Sequence, residues 1–104
     1  MPKKVFVYTE LQLSVPFDQV PWPRMNPVLL AQPGLVRKTW LSGIGTDTPG
    51  GFYEFDGYDN ARHFADVYFP TEAAAMSASF QTKLFDGDIV EAASRQMRSP
   101  HYDA

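Results

Sequence analysis

The chain contains no cysteine in 104 residues. That excludes disulfides, thiolate metal sites and a thiolate nucleophile, and it is compatible with a reducing compartment, so a cytoplasmic protein is expected. Long apolar runs are missing as well. The stretch after Lys3-Lys4 is interrupted at Thr9, Glu10 and Gln12, which leaves no signal-peptide core, and no membrane span is found elsewhere. With a net charge of −3 and no basic run longer than Lys3-Lys4, a nucleic-acid partner is not expected. Histidine is scarce: His63 and His101 are far apart, and the carboxylates near them (Asp59, Asp66, Asp103) have capping or surface explanations, so no metal site is expected. There is no Gly-x-Ser-x-Gly elbow to support a serine hydrolase. Gly43-Ile44-Gly45 with Gly50-Gly51 leads into a strand, whereas a phosphate loop leads into a helix whose N-terminus holds the anion. No cofactor is expected: no metal, flavin or haem.

What is present points to one globular domain over residues 1–104. Aromatics make up 14% of the chain, enough to line a pocket or an interface. At this length both faces of a single sheet are hard to cover from within, which favours a homodimer.

The stretch Pro33 to Phe55 reads as a β-hairpin. Leu35 to Leu41 is rich in β-branched, aromatic and aliphatic residues, Phe52 to Phe55 is mostly aromatic, and Ser42 to Gly51 between them is turn chemistry. Val5 to Val15 alternates, with Val5, Val7, Thr9, Leu11, Leu13 and Val15 on a core face and Phe6, Tyr8, Glu10 and Gln12 on a face suited to a partner subunit or water. Pro16 to Pro33 holds too many prolines for one continuous helix. The spacing predicts a short helix capped by Asn26-Pro27 and stopped at Pro33-Gly34, with Trp22 and Arg24 on an irregular arm before it, packed over the sheet edge or closing a pocket. Asp59 is expected to cap a second helix with Ala61, Phe64, Ala65 and Tyr68 on one face, interrupted at Pro70-Thr71-Glu72 and continued by a further turn or two capped by Thr71. Phe80 to Phe85 is the last strand. Asp88 is expected to cap a short final helix from Ile89 to Met97, and the tail Ser99 to Tyr102 to be frayed unless a partner subunit holds it. The order β, α, β, β, α, β predicts an α+β, ferredoxin-like fold: a four-stranded antiparallel sheet with both helices on one face.

Candidate site residues follow from chemistry. His63 lies on the flank of the Phe64/Ala65/Tyr68 stripe and is the one side chain within an expected element whose reference pKa is near neutral, so it is the candidate acid/base group, although flank histidines are usually amphipathic filler. Trp40 and Tyr53 lie on facing strands of the hairpin. They are candidate donors and pocket walls, or core residues, and a bulge would exchange their faces. Trp22, Arg24, Phe64 and Tyr68 are the candidate substrate-binding residues.

Gln32-Pro33-Gly34-Leu35-Val36-Arg37-Lys38-Thr39-Trp40, then Gly50-Gly51-Phe52-Tyr53-Glu54-Phe55, then Lys83-Leu84-Phe85-Asp86 resemble the YdhR-like family of monooxygenases in the dimeric α+β barrel superfamily. The likeness covers roughly residues 30 to 90; its motifs are a Pro-Gly before strand two, a Lys-x-Trp on it, a Gly-Gly opening strand three and a Lys-x-Phe-Asp closing strand four. The resemblance implies a protomer that pairs sheet to sheet, with a pocket between sheet and helices, and a small-molecule monooxygenase acting on an aromatic or polyketide-like substrate without metal or flavin. Tyr8 and Glu10 stand where haem-degrading members of the superfamily carry an asparagine on strand one, so haem is not carried over. In such an enzyme His63 is the base, with Tyr53, Tyr68 or Trp40 as donors and walls. A cyclase, an isomerase or a carrier would use the same pocket without dioxygen.

Overall fold

A computed structural model describes residues 1–13 and 20–102. Four strands, β1 (Val5–Gln12), β2 (Leu35–Ser42), β3 (Pro49–Phe55) and β4 (Ser79–Asp86), form one sheet in the order β2-β3-β1-β4, with every neighbouring pair antiparallel. Helix α1 (Trp22–Leu30) connects β1 to β2. A second helical stretch connects β3 to β4: α2 (Tyr58–His63), a π turn (Phe64–Tyr68) and α3 (Phe69–Ala75). A short helix α4 (Glu91–Gln96) and a 3-10 turn (Pro100–Tyr102) end the chain. This is the α+β, ferredoxin-like arrangement that the sequence predicts.

The core lies between the sheet and the helices. Val5, Val7 and Leu11 of β1 and Tyr53 and Phe55 of β3 pack against Leu29 of α1 and against Ala61, Phe64, Ala65, Phe69 and Ala73 of the second helical stretch. The two outer strands are far more exposed than β1 and β3.

One irregularity in β2 decides which side chains reach the core side. Leu35 pairs with Phe55, but Arg37 pairs with Glu54, so Val36 is an extra residue at a bulge. Unbroken alternation from Leu35 would turn Lys38 and Trp40 away from the helices. The bulge reverses the phase: Lys38 pairs with Tyr53 and Trp40 with Gly51, both on the helix side, while Arg37 joins Glu54 on the outer face. Ahead of the strand, Gly34 adopts φ +79, a left-handed conformation that glycine takes without a Cβ penalty.

Several local expectations are corrected. Helix α1 begins at Trp22 rather than near Asn26, because Pro21 and Pro23 occupy first-turn positions whose N–H groups have no intrahelical acceptor; only Pro27 lies inside. Trp22 and Arg24 are therefore helical, and Asn26 is no cap. The first turn of α2 contains Asp59, and its N-cap is Gly57. At Pro70 the chain does not break. A proline ring clashes with the carbonyl four residues back, and the wider π turn just before it is one way to relieve that clash. Thr71 caps nothing; its hydroxyl donates to the Val67 carbonyl at 2.8 Å. Asp88 does not cap the last helix either. Its carboxylate accepts from the backbone N–H of Lys3 at 2.7 Å and of Lys4 at 3.1 Å, tying the turn after β4 to the segment that leads into β1. Strand β1 stops at Gln12, and the expected continuation to Val15 lies outside the described residues, as does the first part of the proline-rich arm.

The tail is ordered. Tyr102 is buried and its hydroxyl donates to the Gly87 carbonyl at 2.6 Å. The His101 ring packs edge-on to Phe6 and Phe52, with centroids at 5.0 and 5.5 Å, so Phe6 is only 8% exposed. One end of the outer face is thus covered from within the chain; Tyr8 and Leu41 lie farther along it, and Phe85, which pairs with Phe6 at the covered end, is still 47% exposed.

Candidate active site

Between sheet and helices lies a pocket. The sheet contributes Thr9 and Leu11 from β1, Lys38 and Trp40 from β2, and Tyr53 from β3, while Met25 and Leu29 of α1 and Tyr68, Phe69 and Glu72 of the second helical stretch close it. Its free interior is about 20 Å³, room for about one water molecule, so a larger ligand enters only by displacing side chains.

Lys38 is its one basic group. The Nζ sits 3.1 Å from the centroid of the Trp40 ring and 4.7 Å from that of Tyr53. No carboxylate or carbonyl among the described residues pairs with it. Gly51 makes this possible, since a Cβ there would lie 2.7 Å from the Lys38 Cε and against the Tyr53 ring. Burial disfavours the charged amine and pushes its pKa down from the ordinary lysine value to about 7, the Glu72 carboxylate opposing the shift. Two aromatic faces attract the ammonium electrostatically, but neither neutralises it.

The hydroxyls around Lys38 are held protonated. Burial pushes the Tyr53 phenol well above its usual range, with the Thr9 hydroxyl pulling the other way. Burial and the neighbouring Glu72 carboxylate push Tyr68 up to about 12. Among the described residues, neither the Thr9 hydroxyl, on a residue with 0% exposure, nor the Tyr68 hydroxyl has a well-formed hydrogen-bond partner. Buried polar atoms normally find one, so these are places where a bound molecule could supply it. Trp40 is fixed in place: its indole N–H donates to the Asn26 Oδ1 at 2.9 Å.

The residues expected at the site divide. Trp40, Tyr53 and Tyr68 line the pocket together. Phe64 is core, stacked behind them 4.7 Å from Tyr53 and 5.4 Å from Tyr68. Arg24 borders an open cleft between α1 and α3 that shares Met25, Tyr68 and Glu72 with the pocket. Trp22 is exposed at the start of α1 and lines neither. His63, the expected base, is not among the residues that line the pocket. It is exposed at the end of α2, about 200° around the helix from the buried Ala61. Lys38 is the residue that sequence reasoning missed. The signal was Lys-x-Trp, since residues two apart on a strand share a face.

The fold with a pocket between its sheet and its helices places the chain in the ferredoxin-like α+β class. Among solved structures it is similar to SnoaB, a cofactor-independent oxygenase from Streptomyces nogalater, with a TM-score of 0.60 and 22% identity over 80% of this chain and 91% of that one. A point mutant of the same protein matches with a TM-score of 0.59 at the same identity and coverage. At this identity the likeness is one of fold. No protein-family model matches the chain, and no curated protein matches it either. Among the described residues no helix is long and apolar enough to cross a membrane, and no three or more histidine, aspartate or glutamate side chains are grouped to hold a metal ion.

Proposed function

We propose that the protein is a cofactor-independent monooxygenase that oxidises a small aromatic or polyketide-like molecule in this pocket, with Lys38 rather than His63 as the base. The observation that carries the reading is the Lys38 amine set against the Trp40 and Tyr53 rings in a largely apolar pocket, with no ion-pair partner among the described residues, where burial pushes its pKa down to about 7. A general base works best when its pKa lies near the working pH. Neutral Lys38 takes a proton from an acidic O–H or C–H of the substrate, and the ammonium so formed balances the substrate anion. Thr9 and Tyr68 offer hydroxyls to the anionic oxygen. The anion then reduces dioxygen directly: an activated CH2 becomes C=O, the second oxygen atom leaves as water, and the substrate supplies all the electrons. The motif resemblance and the likeness in fold to a cofactor-independent oxygenase support the same chemistry.

An oxygen electrode tests it. Chelator-treated protein without added flavin is expected to consume dioxygen with a hydroxylated polycyclic aromatic, one equivalent per product. Binding or isomerisation of such compounds with no dioxygen uptake overturns the oxygenase and leaves the non-redox reading, an isomerase, a cyclase or a carrier. We further propose that the protein works in the cytoplasm as a homodimer paired through the outer sheet face around Tyr8, Leu41 and Phe85. Sedimentation at micromolar concentration is expected to show twice the 11.7 kDa chain mass; a monomer overturns it.

A further inference from the structure

An amine that can accept a proton at neutral pH can also attack a carbonyl carbon, and the surroundings of Lys38 suit that second reaction. We propose that Lys38 is a covalent carbonyl-binding residue, its amine condensing reversibly with a small aldehyde or ketone that enters the pocket between the Trp40 and Tyr53 rings. The proposal does not depend on oxygenation.

Three observations carry it. Lys38 has no hydrogen-bond or ion-pair partner among the described residues, so its lone pair is not tied up once the proton leaves; Lys4, by contrast, is bound to Glu54 at 2.8 Å. The pocket is dry enough to hold the amine substantially neutral at pH 7, as imine-forming lysines require. Proton carriers stand in the same lining. Glu72 is close enough to act on the charges of both Lys38 and Tyr68, and the Tyr68 hydroxyl has no well-formed hydrogen-bond partner among the described residues. The groups facing Lys38 that titrate are Tyr53 from β3, Tyr68 from the π turn and Glu72 from α3, while α1 brings the uncharged Met25 and Leu29.

In the reaction the nitrogen lone pair forms a bond to the carbonyl carbon, and the π pair moves to oxygen, which takes a proton from the Tyr68 side. Glu72 accepts the proton that the nitrogen loses. The carbinolamine then expels its hydroxyl as water with a proton returned by Glu72, and the iminium so formed passes its remaining N–H proton back to the Tyr68 oxygen, leaving a neutral C=N bond. Amine plus carbonyl gives imine plus water, with no change of oxidation state. The small free interior restricts unassisted entry to the smallest carbonyls, and anything larger must move Trp40.

The test is reductive trapping of the native protein under argon. The protein is treated with formaldehyde or propanal and sodium cyanoborohydride from pH 6 to 10, and modification is located by peptide mass mapping, with the N-terminal amine as internal reference. Lys38 is expected to be alkylated about 10- to 100-fold faster than the exposed Lys3 and Lys83 at pH 7, its greater neutral fraction outweighing the weaker nucleophilicity of a less basic amine. Its rate is expected to reach half-maximum near pH 7, and Glu72→Gln to slow it about tenfold. The proposal is overturned if Lys38 stays unmodified while Lys3 and Lys83 react, or if its rate rises only in parallel with theirs above pH 9. Because dioxygen is absent, failure here leaves the oxygenase reading standing, and failure of dioxygen uptake leaves this one standing.

Discussion

Among the described residues, a charged side chain on each face of the sheet is drawn in among apolar neighbours, Glu54 buried and Lys38 half-buried, and the two are treated in opposite ways. On the outer face Glu54, 4% exposed, receives the Lys4 Nζ at 2.8 Å, the His101 Nδ1 at 2.7 Å and the Arg37 Nε at 3.4 Å. Burial alone would raise its pKa, but these partners outweigh burial and hold it below the usual carboxylate value. On the helix face Lys38 has aromatic rings against it and no ion pair among the described residues, and burial outweighs the attraction of Glu72. The satisfied charge fastens the tail to the sheet; the other is left able to titrate near neutral pH. The same strand supplies both arrangements, since Arg37 and Lys38 are neighbours in the chain and point to opposite faces.

The contrast can be broken from either side. The largest effect is expected from Lys38→Met, which should lower turnover by about 10²–10⁴-fold in the oxygen-uptake assay while the protein stays folded. Retained turnover would make Lys38 a wall of the pocket and nothing more. Next is Tyr102→Ala, which removes the side chain that anchors the tail and should cost about 2–4 kcal/mol in urea denaturation; a change below about 0.5 kcal/mol would mean that the tail adds nothing to stability.

Smaller effects separate the two charges by pH. Glu54→Gln should cost about 1–3 kcal/mol at pH 7. Because the folded pKa of Glu54 lies below its unfolded value near 4.3, its contribution is fully present above that value and is lost as the pH falls through the folded pKa, so the variant and the wild type should converge in acid. Lys38 has the opposite sign of effect. Its folded pKa is near 7 and its unfolded value about 10.4, so the unfolded chain binds more protons between the two, and wild-type stability should rise across that window. Lys38→Met should accordingly be more stable than wild type at pH 6, by about 1–2 kcal/mol, with the gap narrowing toward pH 10. The smallest effect is expected at the exposed His63, where His63→Ala should leave turnover unchanged and stability within about 0.5 kcal/mol; a large loss of turnover there would restore the histidine as the base.

The element order and the core face of β1 were legible in the sequence because that strand alternates and the loop from Ser42 carries strong turn chemistry, whereas β3 is enclosed along most of its length and its faces could not be read from its pattern. Local patterns could not show the tail. His101 and Tyr102 are held by Phe6, Glu54 and Gly87, residues up to 95 positions away in the chain, and no short window contains both partners. Helix α1 was misjudged for a different reason: counting prolines takes no account of where in the turn each one falls, and two of them sit where no hydrogen bond is lost. At the site, Trp40, Tyr53 and Tyr68 were visible as aromatics. Lys38 was not, because an isolated lysine on a strand normally marks solvent, and only the bulge at Val36 turns it inward.

That bulge behaves like a shift of reading phase within the strand. Side chains along β2 belong to one of two interleaved sets, and the single extra residue selects which set the interior receives. Loss of one codon at Val36 would leave the phase intact, because Arg37 would then follow Leu35 directly and still stand opposite Glu54, with Lys38 and Trp40 still toward the helices. Gain of one codon between Arg37 and Lys38, with no second bulge to absorb it, would instead send Lys38 and Trp40 outside and present Thr39 and Leu41 to the helices. A family descended from such an insertion could keep every original amino acid and lose the amine from the pocket.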